Sequence, residues 1–372
     1  METNIGYEDR PVPRPWSIPL GLPETLSTVP SSAGPAPAVL DSAAPAPAVP
    51  DSVPPVSSLP SIMADVPAPA PSSSIQQRYI KDILQLQRRL SFSRLDAELQ
   101  KNGGCIYRAD HGHGVVTLVA NSRSVPDRYL RGIAGFRLSE YLQAGFASEE
   151  IVFNRSLFCE PVREFHDDDL HVITTDSNSG RILGYVTLSH SQDPVTRPIA
   201  AEDRRLFPCE QAHDLRLQSV LPDTRGLMTH QVREVKRFVH ARDVTDRSLR
   251  LRITLELLAG IMQAARLGGC PTQLLIGDVE EHVALRHLVL LGLAVHLLKG
   301  TTPRLSPQNV MHPMYTKRER VLPFYAWAPP EEEIEMRANL LEQAAASDSP
   351  FRALRGLIAG LPGTVEHIEV AA

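Results

Sequence analysis

Apolar and polar residues recur along the chain in patterns that predict short strands and amphipathic helices. Strand patterns occupy residues 105–109, 115–121, 170–176, 181–190, 230–240, 272–278, 293–298 and 321–329. Helical spacing of apolar residues covers 75–101 (one helix or a pair), 127–146, 248–269 and 280–292. The early strands follow one another as an antiparallel meander, whereas the later ones alternate with helices. This order predicts an α/β fold of three layers around a central mixed β-sheet.

The first 75 residues have a different composition from the rest. They are rich in Pro, Ala, Ser and Val and contain an imperfect repeat, PAPAVLDS followed by PAPAVPDS. Such a segment buries too little apolar surface to offset chain entropy, so we predict a disordered tail over 1–75. The α/β domain is expected over 76–330, starting with a helix or helix pair at 76–101, and a helical extension is expected over 331–372.

Charge and hydropathy exclude several classes of protein. Residues 1–75 carry the whole formal net charge of −5, so the rest of the chain is neutral by the same count. A neutral domain lacks the basic surface of a nucleic-acid binder. The longest apolar run, 288–298, is too short to span a bilayer, and the N-terminus lacks the pattern of a signal peptide. We therefore expect a cytoplasmic protein without nucleic-acid or membrane partners.

Metal and thiol chemistry find only weak support in the sequence. The four cysteines are scattered without a CxxC pair, which disfavours a zinc knuckle or a disulfide framework. The run HDDDLH (166–171) has side chains that suit zinc, iron or manganese, but a solvated loop of charges is the simpler interpretation. Cys209 and His213 are four residues apart and could form a nucleophile–base pair. We predict no metal site.

The strand pattern at 230–240, HQVREVKRFVH, carries charges where a buried strand should be apolar. Glu234, Lys236 and Arg237 stand among valines and a phenylalanine. A buried charge is costly unless it is paired or hydrogen-bonded. The charges therefore face solvent, form a structural ion pair, or have a chemical role. Glu234 and Arg237 are three residues apart and face opposite sides of a regular strand, so only a bulge would bring both into one cleft.

The E-x-x-R-F pattern of Glu234, Arg237 and Phe238, followed by a long helix, resembles the acyl-homoserine-lactone (autoinducer) synthases and N-acyl amino acid synthases. These families are relatives of the GCN5-type N-acetyltransferases. Four further segments occur in the family's order: RYLRGIAGFRLSEYLQAGF, REFHDDDLHVITTD, GRILGYVTL and LRHLVLLGLAVHLLKG. The resemblance spans about 127–327. It departs at Thr187, where the family has an arginine that interacts with the motif glutamate. This departure argues against homoserine-lactone signal synthesis and leaves an acyltransferase of another specificity open.

The resemblance implies a GCN5-related N-acyltransferase fold and transfer of an acyl group from a carrier-protein or CoA thioester to an amine. It implies that Glu234 is the catalytic base and that Arg237 orients it or binds a carboxylate of the acceptor. It also implies acceptor contacts from Arg131, Phe136, Phe146, Asp167, Asp168, Asp169 and Phe238, and donor contacts from Val239, Arg247 and Arg250.

The donor and the partners follow from the same resemblance. The pyrophosphate loop of acetyl-CoA users is replaced by DVTDRSLRLR (243–252), which favours an acyl carrier protein as donor. The expected partners are this carrier and a small-molecule amine, with acyl-phosphopantetheine or acyl-CoA as co-substrate and no bound cofactor. The alternative is a catalytically silent binding module of the same fold that recognises an acyl carrier or a partner protein, and Thr187 in place of the family arginine is its main support.

Overall fold

The structure is a computed structural model that describes residues 73–160, 165–280, 285–316, 321–360 and 363–370. Residues 1–72 of the predicted tail and the segment 281–284 of the predicted helix 280–292 lie outside the described residues. The first described helix includes residues 73–75, which the sequence assigns to the tail.

The eight predicted strands occur in the predicted order, whereas the short helices at 149–154, 208–213, 217–220 and 312–316 and the last strand at 364–369 were not predicted. The strands are β1 (Cys105–Asp110), β2 (Val115–Asn121), β3 (Leu170–Asp176), β4 (Ile182–Ser189), β5 (Val232–His240), β6 (Leu274–Glu280), β7 (Ala294–Lys299), β8 (Val321–Trp327) and β9 (Thr364–Glu369). The helices are α1 (Ser73–Arg88), α2 (Leu95–Lys101), α3 (Asp127–Ala144), α4 (Glu149–Asn154), α5 (Pro208–His213), α6 (Leu217–Val220), α7 (Arg247–Leu267), α8 (Leu285–Leu290), α9 (His312–Thr316), α10 (Glu331–Ala346) and α11 (Pro350–Gly360).

The described strands form one mixed sheet in the order β1-β2-β3-β4-β5-β6-β8-β7-β9. The pairs β5/β6 and β7/β9 are parallel, and the remaining neighbours are antiparallel. The predicted α/β fold with a central mixed sheet is confirmed. The predicted extension over 331–372 contains helices α10 and α11, but it ends in β9, a strand that the sequence analysis missed.

Helices cover both faces of the sheet. A Cβ on Gly184 of β4 would lie 2.6 Å from the side chain of Ile253 and 3.0 Å from that of Leu257, both on α7. The next residue, Tyr185, faces the guanidinium of Arg137 on α3 at 5.8 Å. Because neighbouring residues of a strand point to opposite faces, α7 and α3 lie on opposite sides of the sheet. Helix α10 packs against α7 and covers it from outside.

A smaller hydrophobic cluster attaches α5 to the middle of the sheet. It joins Phe207 and Cys209, at the start of α5, to Val232 of β5 and to Leu274 and Ile276 of β6. The even-numbered residues of these two strands, such as Val232, Leu274 and Ile276, point to the face of the sheet on which α5 packs. This packing places α5 beside the polar side chains that follow on the same face of β5 and β6.

The described part of the chain contains no helix that is both long and apolar enough to cross a membrane.

Candidate active site

Strands β5 and β6 pair over a short distance and then separate. Their parallel pairing covers three residues on each strand and ends at Glu234 and Ile276. Beyond that point β5 continues its pairing with β4, and β6 continues with β8. A Cβ on Gly277 would lie 2.7 Å from the carbonyl oxygen of Val235, so this position requires a glycine. A cavity of about 1040 Å³ adjoins the separation, and residues 234–242 line it.

A β-bulge in β5 lies at the cavity. The register between β4 and β5 shifts there, so that two residues of β5 lie opposite one residue of β4. Arg237 has a φ of 64°, which is the left-handed region that side chains other than glycine rarely adopt. Such a conformation costs roughly 1–3 kcal/mol and is typically found at functional sites. The bulge interrupts the alternation of the strand, and both Glu234 and Arg237 line the same cavity.

Glu234 is a buried carboxyl at the point where the strands separate. Its side chain is 3% exposed, and its Oε1 accepts a hydrogen bond of 3.1 Å from the backbone N–H of Cys209. Its Oε2 lies 3.4 Å from the Nζ of Lys236. Burial raises the pKa of Glu234 to about 7, against the opposing effect of the Lys236 charge. A carboxyl with this pKa can take up and release a proton near neutral pH, as a general base must.

Arg237 is directed toward a second buried carboxylate, which the sequence analysis missed. Its Nη2 lies 3.5 Å from the Oε2 of Glu160, and its guanidinium lies 5.7 Å from the ring centre of Tyr141. The same Oε2 accepts a hydrogen bond from Arg137, whose side chain is only 4% exposed. Glu160 thus connects the bulge in β5 to helix α3. The predicted role of Arg237 in binding the acceptor stays a prediction.

A third carboxylate, Asp278 of β6, lies in the cavity wall with two partners. Its Oδ2 accepts a hydrogen bond of 2.6 Å from the hydroxyl of Tyr315, which also lines the cavity. Its Oδ1 lies 3.1 Å from the Nε2 of His213, a fully buried side chain whose Nδ1 is 3.0 Å from the Oγ1 of Thr301. Burial and the negative charge of Asp278 raise the pKa of Tyr315 above its ordinary value, which favours the protonated phenol.

The nucleophile–base pair considered for Cys209 and His213 is not supported by this arrangement. Burial raises the pKa of the Cys209 thiol well above its ordinary value, which is the opposite of what a nucleophile needs. His213 is directed at Asp278. The two residues instead contribute to the site through the backbone N–H of Cys209 and the imidazole of His213.

Of the arginine and the three phenylalanines that were predicted to contact the acceptor, only two residues line the cavity. Phe146 and Phe238 line the cavity, and the ring of Phe238 stacks on that of His287 with centroids 4.9 Å apart. Arg131 is exposed on α3, and Phe136 is buried in the main core. Among the described residues that line the cavity, neither of these two is present. Their assignment to the acceptor stays a prediction without a geometric basis.

The acidic run before β3 is engaged in local contacts. Asp169 is buried, and its two carboxylate oxygens accept hydrogen bonds of 2.6 and 3.0 Å from backbone N–H groups. Asp168 forms an ion pair with Arg123, and Asp167 is exposed. None of the three is among the described residues that line the cavity. Their predicted role in binding the acceptor therefore stays a prediction.

The histidines of the same run point in different directions. His166 stacks on His190 with ring centroids 4.6 Å apart, whereas His171 is buried between the hydroxyls of Ser122 and Tyr185, at 2.8 and 2.7 Å. Within the described ranges, no three side chains of His, Cys, Asp or Glu are grouped so that they could hold a metal ion. This geometry gives no support to the interpretation that HDDDLH (166–171) binds a metal ion.

Arginines form part of the cavity wall near the start of α7. Arg242 and Arg250 line the cavity, and the Nη2 of Arg250 donates a hydrogen bond of 2.8 Å to the carbonyl oxygen of Val244. Val239, the third predicted donor-binding residue, is buried and lines the cavity as well. Arg247 is exposed at the first position of α7. The geometry thus brings two of the three predicted donor-binding residues to the cavity.

No family model matches the sequence, and no curated protein matches it. Solved structures do match. The CoA-dependent acyl-homoserine lactone synthase BjaI with MTA is 11% identical with a TM-score of 0.35, over 68% of this chain and 93% of that chain. The CoA-dependent acyl-homoserine lactone synthase MesI is 16% identical with a TM-score of 0.34, over 58% and 86%. FdhC, a nucleotide-linked sugar GNAT, is 11% identical with a TM-score of 0.30, over 62% and 93%. At these values we derive no substrate or activity from the likeness.

Proposed function

We propose that the protein is an N-acyltransferase that moves an acyl group from a pantetheine thioester to an amine. The separation of β5 and β6 at Glu234 is the observation that carries this proposal. There, a buried carboxyl with a pKa near 7 faces a cavity of about 1040 Å³, which has room for a thioester arm and an acceptor together. The edge of β5 beyond Glu234 can pair with the amide groups of an extended pantetheine arm, as an added strand would.

The chemistry needs one base and good alignment. The amine nitrogen attacks the thioester carbonyl carbon, a C–N bond forms, the C–S bond breaks, and the sulfur leaves as a thiolate. Glu234, ionised before the reaction, takes the amine proton directly or through a water and can return it to the thiolate. No covalent acyl-enzyme is required, so the main contribution of the site is to hold the two reactants in line.

We propose an acyl carrier protein in preference to free CoA as the donor. The N-cap of α7 is occupied by Asp246, whose Oδ1 accepts a hydrogen bond of 2.6 Å from the backbone N–H of Leu249. A helix N-terminus that binds a pyrophosphate offers its N–H groups to the phosphate oxygens, and a carboxylate at the N-cap competes for them. Arg247 and Arg250 remain available to attract an acidic carrier protein by charge.

The test is release of free thiol and formation of an amide by the full chain with acyl carrier protein and acyl-CoA donors and a panel of primary amines. We expect amine-dependent thiol release that Glu234→Gln slows about 10²–10⁴-fold and that Glu150→Gln, an exposed control on α4, leaves intact. Binding of either donor without thiol release would support the silent binding module instead. The absence of both binding and turnover would refute the proposal.

A further inference from the structure

Tyr315 and Asp278 form a polar surface on the β6 side of the cavity, on the same face of the sheet as Glu234. Asp278 follows Ile276, the pairing partner of Glu234, by two residues, and side chains two apart on a strand leave the same face. Burial is the main cause of the raised pKa of Glu234 and of Tyr315. The negative charge of Asp278 adds to the rise for Glu234, and that of Glu234 adds to the rise for Tyr315, so the three groups lie within electrostatic range of one another.

The direction of the Tyr315 hydrogen bond limits what the phenol can do. A tyrosine hydroxyl has a single proton, and here it is donated to the Oδ2 of Asp278 at 2.6 Å. The phenol oxygen can therefore only accept hydrogen bonds from a molecule in the cavity. An amine nitrogen donates hydrogen bonds, whereas a thioester carbonyl and a thiolate do not. Tyr315 is thus suited to the acceptor and not to the departing thiolate.

Asp278 is in close polar contact with a buried histidine. The Oδ1 of Asp278 and the Nε2 of His213 lie 3.1 Å apart without the geometry of a regular hydrogen bond, and neither atom has a hydrogen bond to another described residue. The other ring nitrogen of His213 lies 3.0 Å from Thr301, which fixes the plane of the imidazole. His213 is on α5, the same helix that directs the backbone N–H of Cys209 to Glu234. One short helix therefore fixes two of the cavity carboxylates.

We propose that Tyr315, oriented by Asp278 and His213, accepts a hydrogen bond from the amine nitrogen of the acceptor and holds it for proton removal by Glu234. Tyr315 is then an acceptor-binding residue, and Asp278 and His213 are positioning residues. This inference rests on the proposed acyl transfer for its chemical meaning. Binding of the amine, however, can be measured without turnover.

The first experiment measures equilibrium binding of n-butylamine and benzylamine to the full chain by isothermal titration calorimetry. Tyr315→Phe removes one hydrogen bond to a cationic or polar nitrogen and should raise the Kd about tenfold or more. The matched control is Tyr325→Phe, because Tyr325 is buried on β8 with its ring stacked on His296 and is not among the described cavity residues. A Kd unchanged by Tyr315→Phe, or no amine binding by the wild type, would overturn the inference.

The second experiment separates the amine from the donor by steady-state kinetics. Tyr315→Phe should raise the KM for the amine about tenfold or more while the KM for the acyl donor stays the same. His213→Gln keeps a polar N–H near Asp278 and should retain more amine affinity than His213→Leu. If His213→Leu fails to fold, the comparison of Tyr315→Phe with Tyr325→Phe still tests the amine-binding site. If amine binding depends on Tyr315 but no turnover occurs, the proposed acyl transfer is refuted and the amine-binding site is established. If Tyr315→Phe shifts the KM for the amine and the KM for the acyl donor equally, the amine-binding site is refuted.

Discussion

Replacing Glu234 by glutamine should stabilise the protein above neutral pH and strongly slow the proposed acyl transfer. Glutamine keeps the shape of the side chain, and its amide oxygen can still accept from the backbone N–H of Cys209. What it removes is the negative charge of a carboxyl that is 3% exposed. A purely structural ion pair between Glu234 and Lys236 would lead to the opposite expectation, because the substitution would leave the lysine without its partner.

The magnitude follows from the pKa of Glu234. Burial raises it from its ordinary value of 4.5 to about 7, and this difference corresponds to roughly 3 kcal/mol. Because the folded state binds the proton more tightly than the unfolded state, wild-type stability falls as pH rises from about 4.5 to about 7 and is lowest above that range. The charge of Lys236 is already contained in this value, because it lowers the pKa of Glu234 against the effect of burial. Glu234→Gln should therefore match the wild type near pH 4 and exceed its stability by roughly 3 kcal/mol at pH 8.

Two assays check this expectation. Urea unfolding of both proteins at pH 4 and pH 8 gives the difference in the free energy of unfolding. Thiol release between pH 5 and 9 should give a wild-type kcat/KM that rises through an apparent pKa near 7 and then levels off, because the base acts in its ionised form. The variant should be about 10²–10⁴-fold slower. A variant that is less stable than the wild type at pH 8, or one that retains full activity, would refute the role assigned to Glu234.

Three other predictions test the surroundings of Glu234. Charge reversal at Arg247 and Arg250 should slow acyl transfer from an acyl carrier protein, and rates at two ionic strengths should show that this effect depends on salt. The rate of transfer from acyl-CoA and the Tm should change little. Equal slowing with both donors would contradict carrier recognition. Glu160→Gln should lower the free energy of unfolding in urea by roughly 3–5 kcal/mol, because it leaves the buried Arg137 without its carboxylate. An unchanged urea midpoint would contradict this expectation. Arg237→Gly should be more stable than Arg237→Val by about 1–2 kcal/mol, since a left-handed φ of 64° disfavours a β-branched residue; equal stabilities would contradict the strained bulge.

The positions of the strands along the chain and the candidate base were accessible from the sequence, because both depend on local pattern. Alternating apolar residues located eight of the described strands, and the charges inside 230–240 identified Glu234 as unusual. The spacing of Glu234 and Arg237 also showed that one cleft would require a bulge. The bulge itself has no local signature, because arginine is not a residue that favours a left-handed φ. Tertiary contacts, including that with Glu160, accompany this conformation.

The partners of the cavity carboxylates escaped the sequence analysis for different physical reasons. Tyr315 lies in the short helix α9 and Glu160 in a connecting segment, and their approach to the site is set by packing between elements distant in the chain. Helix α5 carried a signal that was overlooked: Pro208 stands at its first position, and Glu210 accepts a hydrogen bond of 2.8 Å from the backbone N–H of Phe207, as in a capping arrangement. Strand β9 is short, mostly exposed and at the sheet edge, so it lacks the apolar alternation of a buried strand.

The cation beside Glu234 comes from β5 itself, and this bears on the departure at Thr187. Thr187 of β4 lies opposite Lys236, donates its hydroxyl to the carbonyl oxygen of Leu170 at 3.1 Å, and contributes no charge. An arginine at that position could hold the carboxylate of Glu234 by two parallel hydrogen bonds and would lower its pKa. Lys236 is a partly exposed point charge 3.4 Å away, and against it burial still raises the pKa of Glu234 to about 7. The threonine therefore leaves the carboxyl more basic, which is compatible with the proposed removal of a proton from an amine by Glu234.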